Sequence, residues 1–338
     1  MTMTGTIRRH KSVGTTHLVV GCNGRFGRMI GRKLKKDGME VWGIDLESRG
    51  DSDGLWDQWI RGSIVEATEE VLNAIRRAHY VWLCLSEQQV LDSLSMLMAE
   101  MKTTACITDI ASVKSRIASA VARIDSGPGY LSIHPMFGPV DRIVGLNIIM
   151  VRLRESAATK ALEQTLESWN VRASYVTADE HDLVTAYVQV LPHAMLLAFG
   201  DTLVRCGKDL STLRSAGTPV QKLMMILLSR IITNASTAYW SIQVHNPYAP
   251  RVRREAQNAL QNMDRLSGAE QQADFNRLLS TISQLLLPDL PNLRKQSGRL
   301  VDFICETASK EFSPRASDAH QRLPDARGSV RADPIDPP

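Results

Sequence analysis

The segment VVGCNGRFGRMIG (19–31) narrows the possible folds more than any other part of the chain. It follows a β-rich run, HLVVG, and opens a helix pattern, RMIGRKLKKDG, that Gly38 closes. Gly21, Gly24 and Gly27 stand at GxxGxxG spacing in this strand-to-helix turn, with Arg25 and Phe26 between the last two. Such a turn lets backbone approach a pyrophosphate, while the helix N-terminus offers free N–H groups and a partial positive charge. Asp45 ends the next strand pattern, MEVWGID, 21 positions after Gly24, where a carboxylate can bind the ribose 2′-hydroxyl of NAD. Cys22 takes the place of the first glycine of the usual GxGxxG pattern. Arg49, four residues after Asp45, keeps a 2′-phosphate, and hence NADP, as the lesser alternative.

The glycine turn sits in a longer alternation. YVWLCLS (80–86) and ACITDI (105–110) are further apolar runs separated by helical patterns, the signature of a parallel sheet buried on both faces. Ser86, followed three residues later by Gln89, predicts a capping box where a strand gives way to a helix, and so places Ser86 at the cofactor edge. After NIIMVRLR, a helix over 159–169 and a last strand VRASYVT, the alternation stops. Thr177 with Glu180, and Thr218 with Pro219 and Gln221, then mark helix starts in a purely helical stretch. The expected fold is an α/β Rossmann-type doubly wound sheet followed by an all-α domain. The expected divisions are a flexible N-terminus (1–15), the NAD-binding domain (16–178), the helical domain (179–308) and a disordered tail (309–338) that holds five of the 14 prolines.

A length of 338 residues suits two such domains, at roughly 150 residues each. The 43% hydrophobic and 22% charged content excludes a fibrous or wholly disordered chain. The net charge of +4 is spread along the sequence, giving no support for nucleic-acid or membrane-surface binding. Five scattered cysteines without a CxxC pair point to a reducing compartment and no structural zinc. With no secretory signal and no run of about 18 apolar residues, the expectation is a cytoplasmic protein.

Four segments put unusual polar residues where a cofactor crevice belongs. In DIASVKS (109–115), Ser112 and Lys114 follow the end of a strand, the edge where doubly wound sheets bind ligands. In LSIHPMFGP (131–139), His134 ends an apolar strand between rigid flanks and is a candidate proton acceptor. In EHDLVTAYVQVLPHAMLLAF (180–199), His181 stands in the first helical turn and Gln189 and His193 share a face, while Pro192 should bend the helix. In TPVQKLMMILLSRI (218–231), Leu223, Ile226, Leu227 and Arg230 fall at i, i+3, i+4 and i+7. Arg230 thus shares an apolar stripe and calls for an anion, either an internal carboxylate or one on a substrate.

GCNGRFGR, DIASVK, HPMFGP, EHD…LPH and TPVQKLMMILLSR, in this order and at these separations, resemble the prephenate/arogenate dehydrogenase family over about residues 17–300. The branch that is elsewhere fused to chorismate mutase looks most similar, although no mutase segment precedes the glycine loop here. The resemblance implies a nicotinamide-binding domain followed by a helical domain that forms a homodimer. It also implies a small substrate with two carboxylates, oxidised at C4 by hydride loss to NAD and decarboxylated as the ring becomes aromatic, with no metal. On this resemblance His134 takes the C4 proton and Ser112 orients the C4 substituent. Arg230 and Lys114 match cationic positions for the dianionic substrate, and His193 and Tyr239 match pocket residues. Cys22, Val140 after HPMFGP and the NASTAYW stretch depart from the pattern. Both prephenate and its 4-amino-4-deoxy analogue fit the resemblance, with the amino compound favoured and arogenate a further alternative. Retention of Ser112, His134 and Arg230 argues against a nucleotide-binding regulator without catalysis. A β-hydroxyacid dehydrogenase would need a lysine on the first long helix, and none stands between Glu180 and Arg205.

Overall fold

The computed structural model describes residues 14–47, 54–233 and 236–311. Its strands are β1 (Thr16–Val20), β2 (Glu40–Asp45), β3 (Gln58–Arg61), β4 (Tyr80–Leu83), β5 (Cys106–Asp109), β6 (Gly129–Pro135), β7 (Asn147–Arg154) and β8 (Arg172–Tyr175). Helices α1 (Arg25–Lys36), α2 (Glu69–Arg77), α3 (Glu87–Glu100), α4 (Ser115–Ala122) and α5 (Ala157–Ser168) alternate with them. Among the described residues only helices follow: α6 (Ala178–Thr185), α7 (Leu191–Arg205), α8 (Leu210–Ser215), α9 (Pro219–Thr233), α10 (Ser236–Val244), α11 (Ala249–Leu266), α12 (Gln272–Leu286) and α13 (Leu290–Glu311). The doubly wound sheet and the helical second half are therefore as the sequence pattern predicts. The expected flexible N-terminus and disordered tail, and Arg49, lie outside the described residues except for Gly14, Thr15 and the end of α13.

The eight strands form one sheet in the order β3-β2-β1-β4-β5-β6-β7-β8. Neighbours are parallel except β6 and β7, which run antiparallel. The direction of winding reverses between β1 and β4, and the crevice outside their carboxyl ends is where such sheets hold ligands. Alternate residues of each strand feed two apolar layers. Leu18, Val81 and Ile107 pack with Val71, Leu94 and Ile117 of α2, α3 and α4. On the other face Val19, Trp82 and Leu131 pack with Ile30 and Leu34 of α1 and Leu162 of α5. The sequence pattern misses β3, a four-residue edge strand in which only Ile60 is fully buried.

Capping chemistry fixes the helix starts. Both capping boxes form, Ser86 with Gln89 at α3 and Thr177 with Glu180 at α6. The Thr218 hydroxyl accepts from the Gln221 N–H at 3.2 Å ahead of α9. Pro192 does not simply kink its helix. Residues Ala186–Val190 form a π-helical turn between α6 and α7, and Pro192 falls in the first turn of α7, where its missing N–H costs little. Among the described residues, one compact unit comprises the chain up to Lys208 together with Met225–Phe275, and the other Asp209–Met224 together with the chain from Asn276.

His17 in β1 is buried, and its Nδ1 accepts from the Trp82 indole N–H at 3.1 Å. Burial, reinforced by neighbouring His79, pushes it down from 6.5 to about 3. The unfolded chain therefore binds a proton below pH 6.5 that the folded chain refuses. The stabilisation is complete above pH 6.5 and is lost as pH falls toward 3, at up to about 1.4 kcal/mol per pH unit. Urea denaturation should show a midpoint that drops between pH 6.5 and 4, and drops less in His17→Gln; a midpoint constant over that range would contradict this.

Candidate active site

Gly21 has φ +74°, and a Cβ there would lie 2.5 Å from the Cys84 carbonyl oxygen. A Cβ on Gly27 would lie 2.3 Å from the Gly21 oxygen, so the turn closes only with glycine at both positions. Gly24 caps α1 without a side-chain bond to the first-turn N–H groups, which leaves them for an anion. Arg25 is exposed at the first helical position, and Phe26 packs on the core behind it. Cys22 turns away from the crevice: it is fully buried, and its thiol, pushed up to about 12 by burial, lies over Gly43 of β2. A Cβ on Gly43 would come 2.8 Å from Cys22 Sγ, so the departure from GxGxxG is absorbed by a glycine on the neighbouring strand.

Asp45, at the end of β2, accepts from the Asn23 N–H of the glycine turn at 2.8 Å, which ties the turn to the end of that strand. The small-residue cradle, the uncapped helix and this carboxylate fit a dinucleotide. Ser86 stands at the carboxyl end of β4, and its hydroxyl is engaged in its own cap, donating to Gln89 Oε1 at 2.8 Å. Next to it, buried Glu87 accepts from Ser241 Oγ at 2.9 Å and also bonds His245, which joins the start of α3 to α10.

A second polar cluster is built on β5, β6 and α6. His134, near the end of β6, is 2% exposed. Its Nδ1 lies 2.9 Å from His181 Nε2, and its Nε2 lies 3.3 Å from the Gln189 amide nitrogen. His181 Nδ1 in turn lies 2.7 Å from Asp182 Oδ1. Asp182 also caps α4, accepting from the Lys114 and Ser115 N–H groups at 2.9 Å each and from the Ser115 hydroxyl. Asn246 donates to the Asp182 carbonyl at 2.8 Å and so holds the turn of α6 that carries the pair. Burial pushes His134 well below 6.5, with His181 and the Lys114 charge adding to the effect. A neutral imidazole ready to accept a proton results.

Lys114 is placed differently from the expectation. It is completely buried, and its ammonium donates to Asp109 Oδ1 at 3.1 Å and to the Ile133 carbonyl at 2.8 Å. It therefore braces the strand beside His134 instead of lining an open cationic cleft. Burial lowers its pKa, and the adjacent Asp109 carboxylate opposes that shift. Ser112 lies half-buried in the same turn, which Asp109 fixes by accepting from the Ala111 N–H at 2.9 Å.

His193 packs edge-on against Tyr239, ring centroids 4.8 Å apart, so α7 and α10 bring the two pocket candidates together. His193 Nδ1 and Gln189 Oε1 are buried without a hydrogen-bond partner, and of the two the Gln189 oxygen, on the side chain that meets His134 Nε2, is a fixed acceptor. Arg230, in the last turn of α9, reaches the HPMFGP turn: a Cβ on Gly138 would be 4.0 Å from its Nη2. Its helix face is not buried as the stripe argument supposes, because Ile226 and Leu227 are exposed along with Arg230 and only Ile231 is covered. Sequence reasoning places His181 but does not include it or Asp182 in the site. The adjacent His-Asp pair one turn into a capped helix is the available signal.

Residues 30–146 match the family model described as prephenate dehydrogenase, nucleotide-binding domain, and residues 177–284 the one described as prephenate dehydrogenase, dimerization domain. The chain is 31% identical over 236 residues to the 4-amino-4-deoxyprephenate dehydrogenase of Streptomyces pristinaespiralis, covering 70% of this chain and 79% of that protein. It is 24% identical over 226 residues to the T-protein of Enterobacter agglomerans, covering 67% of this chain and 55% of that protein. Among solved structures, prephenate dehydrogenase from A. aeolicus, in complex with hydroxyphenyl propionate and NAD+, superposes with TM-score 0.65 at 18% identity over 85% of this chain and 98% of that one. Synechocystis arogenate dehydrogenase superposes with TM-score 0.63 at 20% identity, over 82% and 100%. At these identities the structural likeness speaks for the fold.

Proposed function

The chain belongs to the prephenate dehydrogenase family, and we propose that it oxidatively decarboxylates 4-amino-4-deoxyprephenate to 4-aminophenylpyruvate, CO2 and NADH in the cytoplasm. The observation that carries the substrate reading is the 31% identity to an enzyme named for that compound, against 24% for the T-protein. The unpartnered Gln189 Oε1 on the side chain that meets His134 supports it, since an amine offers more hydrogens than a hydroxyl.

NAD, when bound, supplies the hydride acceptor. The glycine turn and the open N-terminus of α1 would hold its pyrophosphate, and Asp45 its ribose. Arg230 pairs with a substrate carboxylate near Gly138, and Tyr239 and His193 form a wall of the pocket. An aliphatic amine is an ammonium at neutral pH and has no lone pair to form the C=N bond as hydride departs. His134 Nε2 therefore takes a proton from the C4 nitrogen, with Ser112 orienting that group. Loss of the ring carboxylate as CO2 then gives the aromatic amine. With prephenate the C4 oxygen keeps its lone pairs, and no net proton is released.

The helical residues 179–308 serve a homodimer in this reading. The match to a dimerization domain supports it, as does α7, which has no buried residue and exposes Leu197 and Val204. The run Ala178–Arg205 is long and apolar enough to cross a membrane by length and composition. His181, Asp182 and Gln189 on it are nevertheless bonded into the site.

Side-by-side kinetics with 4-amino-4-deoxyprephenate, prephenate and arogenate, using NAD and NADP, test the proposal. The amino compound with NAD should give a kcat/KM at least about tenfold above the others, a difference of about 1.4 kcal/mol in transition-state binding. In weak buffer it should also release one proton more per NADH than prephenate does, CO2 hydration being common to both. A preference for prephenate would overturn the amine reading in favour of the hydroxyl substrate, which the T-protein relative favours.

A further inference from the structure

The contacts behind His134 admit only one arrangement of hydrogens. Both oxygens of the Asp182 carboxylate can only accept, and the Lys114 and Ser115 N–H groups and the Ser115 hydroxyl already donate to them. His181 Nδ1, at 2.7 Å from Oδ1, must therefore carry a hydrogen. A neutral His181 then has a bare Nε2, and the 2.9 Å contact to His134 Nδ1 requires that Nδ1 be the donor. A neutral His134 is left with a bare Nε2, and the amide nitrogen 3.3 Å away on Gln189 is itself a donor. The opposite tautomer of His134 would set two lone pairs against each other at 2.9 Å inside a closed site, an uncompensated cost of the kind buried polar groups avoid.

We propose that Asp182 and His181 are positioning residues for the reaction, which together lock His134 as its Nδ1–H tautomer and so keep Nε2, which accepts from the Gln189 amide in the resting site, as the nitrogen able to take the substrate proton once that amide gives it up. The inference rests on reading His134 as the proton acceptor. During turnover one proton moves from the C4 substituent to His134 Nε2. The imidazolium that forms keeps its Nδ1–H directed at His181, whose orientation Asp182 fixes, and the proton passes to solvent after product leaves. The carboxylate stays ionised throughout. Lys114 assists mechanically: by donating to the Ile133 carbonyl it holds the backbone next to His134 while its own N–H helps seat Asp182.

The test is NMR of full-length protein labelled with 15N-histidine near pH 7.5, with the His134 signals assigned by their loss in His134→Asn. The wild type should show His134 protonated at Nδ1 and bare at Nε2. In Asp182→Asn the amide nitrogen can take the place of Oδ1, giving up the bond from the Lys114 N–H but keeping both from Ser115, and so turn an N–H toward His181 Nδ1, which reverses every donor in the chain. That variant should show His134 protonated at Nε2 and a kcat reduced about 10–100-fold, with KM and NAD affinity within about threefold of the wild type. His181→Gln, which can still accept from His134 and donate to Asp182, should keep the Nδ1–H tautomer and more kcat than His181→Leu. A wild type protonated at Nε2, or an Asp182→Asn variant that keeps both the wild-type tautomer and the wild-type kcat, would overturn the proposal. The tautomer is read without turnover, so a wild type inactive on all three substrates would overturn the functional reading and leave the NMR result intact.

Discussion

His134→Asn lowers kcat by about 10²–10⁴ and leaves NAD affinity within about twofold of the wild type. The magnitude is that of removing a positioned general base, and the selectivity follows from where His134 sits. It stands near the carboxyl end of β6, whereas the glycine turn and Asp45 belong to β1, α1 and β2 on the other side of β4 and β5. Asparagine can still accept from a substrate N–H or O–H but cannot hold the proton. Binding therefore survives better than turnover. Burial depresses His134, so wild-type kcat should stay level as pH falls through 6.5 and decline only in stronger acid, and His134→Asn should lose that decline. Stopped-flow hydride transfer at 340 nm together with NAD titration by fluorescence checks both parts. A loss smaller than about tenfold would show that the proton goes elsewhere.

Arg230→Ala should raise KM for the cyclohexadienyl substrate about 10–100-fold, equivalent to about 1.4–2.7 kcal/mol, with a smaller change in kcat. The estimate is held to the range of a charged hydrogen bond because the α9 face around Arg230 is exposed. For the same reason the variant should keep its urea midpoint: no buried cation is removed, and Ile231 continues to anchor the helix. Arg230→Lys should recover only part of the loss, since an ammonium cannot pair with both carboxylate oxygens in a plane. An unchanged KM would take Arg230 out of substrate binding, and an unfolded variant would make it a structural residue.

Much of this architecture is legible in local chemistry. The glycine turn, both capping boxes and the apolar runs of β1, β4 and β5 depend on residues within a few positions of one another, so the chain displays them directly. β3 escapes because a four-residue edge strand buries too little to need an apolar run. The polar network escapes for a different reason. His134 and His181 are 47 positions apart, and only the pairing of β6 with the rest of the sheet brings α6 to its end. Lys114 is misplaced because a lysine just after a strand, at the edge where such sheets bind ligands, reads as a charge facing the crevice. Its partner Asp109, five residues earlier, turns it inward. The periodicity of α9 correctly puts Arg230 beside Ile226 and Leu227, but a periodic stripe does not say whether anything covers it.

The double use of Asp182, as cap of α4 and as anchor of His181, also constrains how such an enzyme can be redesigned. A substitution that removes both carboxylate oxygens loosens the start of α4 and frees His181 together, so it penalises folding and turnover at once. Gln189 and His193 carry a lighter burden: Gln189 Oε1 and His193 Nδ1 serve no bond within the fold, and the bond of the Gln189 amide nitrogen to His134 caps no helix. Libraries aimed at changing the preference at C4 should therefore hold Asp182, His181 and Lys114 constant and randomise Gln189 and His193, where specificity can drift at little expense to the scaffold.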